Sequence, residues 1–424
     1  MRRHILWEVA QKELRLFLSS PVGYLFLGTF LSITLFLFFW VESFFARNIA
    51  DVRPIFEWLP ILLIFLSSAL TMRMWSEERR TGTLEFMSTL PITTWEMVIG
   101  KFVACFVLLA LALLLTFWLP LSVSTVADLD WGPVFAGYLA ALLLGGAYLS
   151  IGLFVSARTD SQIVSLIIAS LIGAVFYLIG SPGITQLFGS SVSDVLMFFG
   201  SGSRFESITR GVIDFRDLYF YISISVVFLA ANVYSLEKER WSADGDEKLH
   251  FNWRLGTGLL VLNLLMANVW MSSIGFLRWD ATAGNIYSIS TSTEKYLDRL
   301  EEPLLIRGYF SAKTHPLLAP LVPRMKDLLR EYEVAGRGKV RVELVDPVQD
   351  PEMENEANTK YGIRAVPFQT ADRYQSSLVN SYFDVLIQYG DEYEVLSFRD
   401  LIEFKVLGES DIDVQLKNPE FDVT

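Results

Sequence analysis

A single cysteine, Cys105, sits in an apolar run and leaves no intrachain disulfide to brace any domain of this 424-residue chain. The three histidines, His4, His250 and His315, are scattered, and no His/Cys/carboxylate cluster accompanies them, which argues against a metal site. No G-x-x-x-x-G-K-[ST] run occurs: Gly100–Lys101 and Gly338–Lys339 have Trp95 and Glu333 where the first glycine belongs. The chain therefore lacks the backbone cradle that holds a nucleotide triphosphate. G-x-S-x-G and H-E-x-x-H are absent as well, which argues against a built-in hydrolase.

Charge is missing over long distances, and that absence is the most informative. A bilayer core about 30 Å thick takes about 20 apolar helical residues, and a charge at its centre costs about 2.5–3.5 kcal/mol. Charge-free runs of this kind lie at 22–41, 58–72, 102–127, 133–157, 163–180, 218–236 and 255–276, the second reaching spanning length only by extending past Glu57. Seven spans are expected in a chain that is 52% hydrophobic with a mean hydropathy of +0.39. The polar Asn232, Asn263 and Asn268 within spans are expected to bond between helices.

Glu8, Lys12, Glu13 and Arg15 interrupt the N-terminus, so it does not read as a cleaved leader. Ile5, Leu6, Val9, Leu14, Phe17 and Leu18 fall near helical spacing, which predicts an amphipathic interfacial helix over 1–20. With the N-terminus inside, the inner segments carry thirteen Lys/Arg and the outer membrane loops five. Basic residues resist translocation, so this bias places residue 277 onward outside. The segment 181–217, punctuated by Gly, Ser and Pro, reads as a re-entrant or interfacial pair on the outer face. Residues 277–424 hold 17 Lys/Arg against 26 Asp/Glu, an acidic balance that argues against nucleic acid as a partner.

Beyond residue 277 the period changes to that of a water-soluble fold. Strands are predicted at 304–310, 339–345, 366–370, 383–389 and 394–398, with helices at 317–335, 351–361 and 399–404. The order is βαβαβββ with a final helix. Glu301/Glu302, like Glu77/Glu78, are adjacent acids that read as solvated faces rather than acid/base couples.

The run R-M-W-S-E-E-R-R-T-G-T-L-E-F-M-S-T-L-P-I-T over 73–93, followed by W-E-M-V-I-G-K over 95–101, resembles the inner loop of ABC-2 type permeases. The resemblance implies an ATPase-coupling helix formed by Trp75, Glu77, Glu78, Arg79, Arg80, Leu84, Glu85 and Leu90. Physically, the charged residues suit polar docking, and Leu84, Phe86, Met87 and Leu90 suit an apolar anchor. R-F-E-S-I-T-R-G-V-I-D-F-R-D-L-Y over 204–219 is similar to an outer segment of the gliding-motility and copper-enzyme-maturation branch. R-W-D-A-T-A-G-N-I-Y-S-I-S-T-S-T over 278–293 resembles the start of the auxiliary subunit of gliding-motility transporters. The chain thus looks like a permease fused to an auxiliary subunit. That subunit ends elsewhere in a further transmembrane helix which is not found before Thr424, so the tail 405–424 is expected to lack its packing partner.

The element order and Y-G-I-R-A-V-P-F over 361–368 look like a thioredoxin fold, which would make Pro367 a cis-proline leading into an inner strand at 366–370. Where a redox member carries Cys-x-x-Cys, this chain has Ser311-Ala-Lys-Thr, so the domain should be redox-dead. The expected fold class is a polytopic α-helical membrane protein: a six-helix ABC-2 permease over 21–246, a seventh transmembrane helix over 247–276, and an α/β thioredoxin-like extracytoplasmic domain over 277–404. The implied machine is an inner-membrane permease subunit, homodimeric in the lipid bilayer, coupled to a cytosolic ABC ATPase that binds the ATP and Mg while this chain binds no cofactor. A periplasmic partner is implied for the outer domain. Two rivals stand beside it, a mechanotransmission complex that moves no solute and a membrane-anchored sensor.

Overall fold

The structure is a computed structural model. It describes residues 3–42, 44, 52–126, 129–181, 184, 196, 198–239, 247–272, 278–282, 289–311, 318, 321–336, 338–348, 351–372, 375–406, 412–417 and 419–424. The chain divides into two compact units, Met1–Ala283 and Gly284–Thr424.

The first unit is helical, as the charge-free runs require. Its helices are α1 (Arg3–Ser19), α2 (Pro21–Phe36, extended by a π-helical turn Leu37–Val41), α3 (Pro54–Thr71), α4 (Ser76–Arg80), α5 (Thr83–Ser88) and α6 (Thr94–Thr116). They continue with α7 (Trp118–Ser124), α8 (Trp131–Ser156), α9 (Gln162–Leu178), α10 (Ser201–Thr209), α11 (Phe215–Glu239) and α12 (Glu247–Ser272). A two-stranded bridge joins β1 (Val212–Asp214) to β2 (Arg278–Asp280). Among the described residues, six apolar helical stretches are long enough to cross a bilayer: Pro21–Val41, Pro54–Arg80, Thr94–Ser124, Trp131–Ser156, Phe215–Glu239 and His250–Met271. The unit is that of a polytopic helical membrane protein. The fifth expected span is the 17-residue α9, which rises only about 25 Å and falls short of the 30 Å core. The re-entrant reading of 181–217 falls largely outside the described residues, as does the expected permease end at Asp246.

Helix α8 is the hub. It is rich in Gly and Ala, which lets neighbouring backbones approach closely, and it packs on α3, α6, α9, α10 and α11 with most of its apolar length buried. Helix α12 is the opposite case, packing on α11 with only 11% buried. Asn268 meets the expectation of an interhelical bond, donating to Ser223 Oγ at 2.8 Å. Asn263 is exposed, and Asn232 is fully buried with neither amide atom partnered. Helix α1, expected on the membrane surface, packs along α6 with Ala10, Glu13 and Phe17 buried and Trp7, Leu16 and Leu18 exposed.

The second unit has α13 (Thr291–Asp298), β3 (Leu304–Phe310), α14 (Leu321–Ala335), β4 (Val340–Val345), α15 (Pro351–Lys360), β5 (Val366–Asp372) and β6 (Gln375–Ser381). It continues with β7 (Phe383–Tyr389), β8 (Glu392–Leu396), α16 (Phe398–Leu401), β9 (Ile402–Val406), β10 (Ile412–Leu416) and α17 (Pro419–Val423). A four-stranded sheet runs in the order β4-β3-β7-β8, with β3 parallel to β4 and antiparallel to β7, and β8 antiparallel to β7. Ile306, Phe310, Met325, Leu329, Tyr332, Phe383 and Val385 form the core on one face.

Four expectations are corrected here. Strand β5 pairs with β6 in a separate hairpin, so the inner strand that follows β4 and α15 is β7, not 366–370. Pro367, on that hairpin, is exposed, and its peptide bond is trans, since no cis bond occurs among the described residues. The helix expected at 399–404 stops at Leu401 and continues as strand β9, paired with β10. The tail, expected without packing, places Val423 in the core, while Glu420 accepts from Ser290 N–H and Thr293 Oγ1, both at 2.6 Å.

Asp384 is 5% exposed on β7. Its Oδ1 accepts the Phe398 N–H at 3.3 Å, and its Oδ2 has no partner. Burial pushes its carboxyl up to about 6, against the pull of the Phe398 and Phe383 amides. The folded pKa is thus raised above the ordinary 3.8, so its contribution is fully present below pH 3.8 and lost as pH rises through about 6. Asp384→Asn should flatten this dependence and stabilise the second unit at pH 7 by on the order of 3 kcal/mol, read by pulse proteolysis of the full chain in urea at pH 4 and pH 7.

Candidate functional site

At one end of the bundle, the turn between α3 and α6 is bolted to four other helices. Ser156, in the last turn of α8, accepts the N–H groups of Trp75 (3.1 Å) and Ser76 (3.2 Å) and donates to Met72 O (3.0 Å). It thereby satisfies backbone donors at the start of α4 that have no intrahelical partner. Arg79 bonds the Ala157 carbonyl and the Glu239 carboxylate and lies 3.4 Å from Asp160, tying α4 to the ends of α8 and α11. Thr94, at the start of α6, donates to Glu237 of α11, and Arg158 Nε reaches Ser235 Oγ at 3.1 Å.

The centre of this end is Lys101, 1% exposed on α6. Its ammonium donates to Glu78 at 2.7 Å, Glu13 at 3.2 Å and Met74 O at 2.9 Å, and it lies 4.7 Å from the ring centre of the fully buried Trp75. One cation thus holds α1, α4 and α6 together. Burial alone would push the Glu13 carboxyl up, but the charges of Lys101 and Lys12 outweigh it and hold the group below its usual range.

The residues expected to form a coupling surface divide by orientation. Trp75, Glu78 and Arg79 turn inward to this network. Glu77, Arg80 and Glu85 face out, with Phe86, at 68% exposure, beside them. Leu84 and Met87 are half-buried and pack on the chain's own core, so they do not offer a docking anchor, and Leu90 is half-buried. Gly82, at φ +73°, makes the turn between α4 and α5.

Sequence reasoning missed Lys101, Glu13, Ser156 and Glu239. The available signal was a lysine seven residues inside an apolar helix, which needs a buried carboxylate partner. Among the described residues, no three of His, Cys, Asp or Glu converge as metal ligands.

Residues 55–189 match the family described as ABC-2 family transporter protein. This stretch is similar to an ABC-2 transporter membrane domain. Residues 283–388 match a domain of unknown function, DUF7088. No curated protein matches the chain. The ABC-2-like stretch contains α3 to α6, the whole turn held by Lys101, and α8 and α9. ABC-2 membrane domains in general are subunits without an ATPase site of their own and pair with a cytosolic ABC ATPase.

Lys101→Met should destabilise the ABC-2-like bundle by about 3–5 kcal/mol, because it leaves Glu13 and Glu78 as buried charges without a counterion. Adding Glu13→Gln and Glu78→Gln should recover most of the loss. The unfolding midpoint in detergent reads both, and a single variant as stable as the parent would contradict the role given to Lys101.

Proposed function

We propose that this chain is the membrane subunit of an ABC transporter and that its ATPase docks on the outward face of α4–α5. The observation that carries the reading is the two-sidedness of that turn. Glu77, Arg80, Glu85 and Phe86 face away from the protein, while Glu78 and Arg79 on the same turn are fixed to α6, α8 and α11. A push on the outer side is therefore passed to the bundle as a rigid-body movement and not absorbed in a loop. Exposed charges give docking its orientation, and an aromatic such as Phe86 gives it affinity.

In this reading the chain works as a homodimer in a cell's inner membrane, the Lys101 end faces the cytosol, and ATP and Mg reside in the partner ATPase. The second unit lies on the other side as a thioredoxin-like receiving module of the kind found in gliding-motility transporters. One parallel pairing, β4-β3, and two antiparallel pairings, β3-β7 and β7-β8, support the likeness. At the end of β3, Ser311 exchanges bonds with Tyr382, its Oγ accepting the Tyr382 N–H at 2.8 Å and its own N–H donating to Tyr382 O at 3.2 Å. A hydroxyl held in a backbone stitch has no thiolate chemistry, so the module binds and does not oxidise. The rest of Ser311-Ala-Lys-Thr lies outside the described residues. Transmission of work to a periplasmic partner, without solute, is a second reading, favoured by the dense packing of α8 at the centre of the bundle.

Arg80→Glu combined with Phe86→Ala should cut the amount of co-purifying ATPase about tenfold or more, since an interface anchor contributes about 2 kcal/mol. The unfolding midpoint of the membrane subunit should stay at the parental value. Unchanged ATPase recovery would refute the docking face.

A further inference from the structure

At the far end of α8 from Ser156, the chain that follows α12 is stitched back onto the bundle. Strand β2 pairs antiparallel with β1 in the register Val212↔Asp280, Ile213↔Trp279 and Asp214↔Arg278. The Ala281 N–H extends the ladder, donating to Gly211 O at 2.9 Å. Thr282 is 6% exposed, and both its N–H (2.9 Å) and its hydroxyl (2.6 Å) donate to Asp280 Oδ1.

Two glycines make room for this path. A Cβ on Gly132, in the first turn of α8, would lie 1.9 Å from Ala281 O. One on Gly211, at φ +101°, would lie 2.7 Å from the Thr282 methyl and 3.2 Å from Pro133. On the other side of the bridge, Asp214 accepts the Arg216 N–H and Nε, both at 2.8 Å, which fixes β1 to the first turn of α11. The position of Ala281 and Thr282 is therefore set by the start of α8, the end of α10 and the start of α11. Helix α12, most of whose apolar length is exposed, contributes little to it.

The second unit begins at Gly284, two residues after Thr282. We propose that residues 278–282 are a transmission clip. They carry displacement of the α8, α10 and α11 ends into the second unit, while α12 serves as a membrane tether. The proposal rests on the reading above in one respect: a partner ATPase supplies the displacement.

The test has two parts. In a Cys105→Ser background, Ile213→Cys with Trp279→Cys should form an intramolecular disulfide on mild oxidation. Directly opposed antiparallel residues have Cα atoms about 4.5–5.5 Å apart, within disulfide reach. Failure to crosslink overturns the clip and leaves the ATPase reading untouched.

The second part uses the complex with its co-purifying ATPase, with and without a non-hydrolysable ATP analogue and Mg. Spin-label distances are read within the first unit, between Val126→Cys and Phe199→Cys, and across to the second, between Val126→Cys and Tyr296→Cys. Both distances should shift with nucleotide in the parent. Gly132→Val should keep the first shift and lose the second, and so should a Gly/Ser insertion after Thr282, which leaves the clip itself unstrained. A cross-unit shift that survives in both variants overturns the clip alone. A parent in which neither distance moves overturns the clip and the ATPase coupling together.

Discussion

An ammonium group removed from water inside an apolar bundle must be matched by nearby anions, and the arrangement of the Lys101 end of this bundle follows from that requirement. Lys101 finds its counterions on two segments far from it in sequence, Glu13 and Glu78. Satisfying the charge brings the N-terminal helix α1, the α4 turn and α6 to one point. The Trp75 ring covers that point and keeps water from loosening it. An apolar contact would allow these helices to slide past one another, whereas a desolvated charge cluster penalises every other register.

The spans were legible because lipid makes a simple demand: long runs without charge. Their number was less so, since α9 is apolar along its length but too short to cross unaided, and hydropathy alone does not say where a helix stops. The loop residues 73–90 were recognisable as a group. Their orientations were not, because of four consecutive charges the middle two turn to the network and the outer two to solvent, according to tertiary partners such as Lys101, Ala157 and Glu239. Phe86 and Leu84 are of similar character in sequence, but two residues apart on α5 they lie on opposite faces, so one faces out and the other packs in.

In the second unit the alternating apolar strands β3, β4 and β7 announce themselves. Strand β6, Q-S-S-L-V-N-S, does not, because it lies in a two-stranded hairpin and carries little apolar signal. Missing it shifted the expected inner strand from 383–389 to 366–370 and placed weight on Pro367 that the topology does not support. The segment 402–406, I-E-F-K-V, alternates at the period of a strand, and it pairs with the antiparallel partner at 412–416.

The looseness of α12 has its own meaning in lipid. A helix held along one seam, with Asn268 to Ser223 as its described side-chain bond across that seam, is free to adjust its tilt to the thickness of the surrounding bilayer. The residues that follow it are pinned to the bundle at β1, so this tilting stops short of them. Membranes of differing depth would then retune α12 while residues 278–280 keep their register on β1.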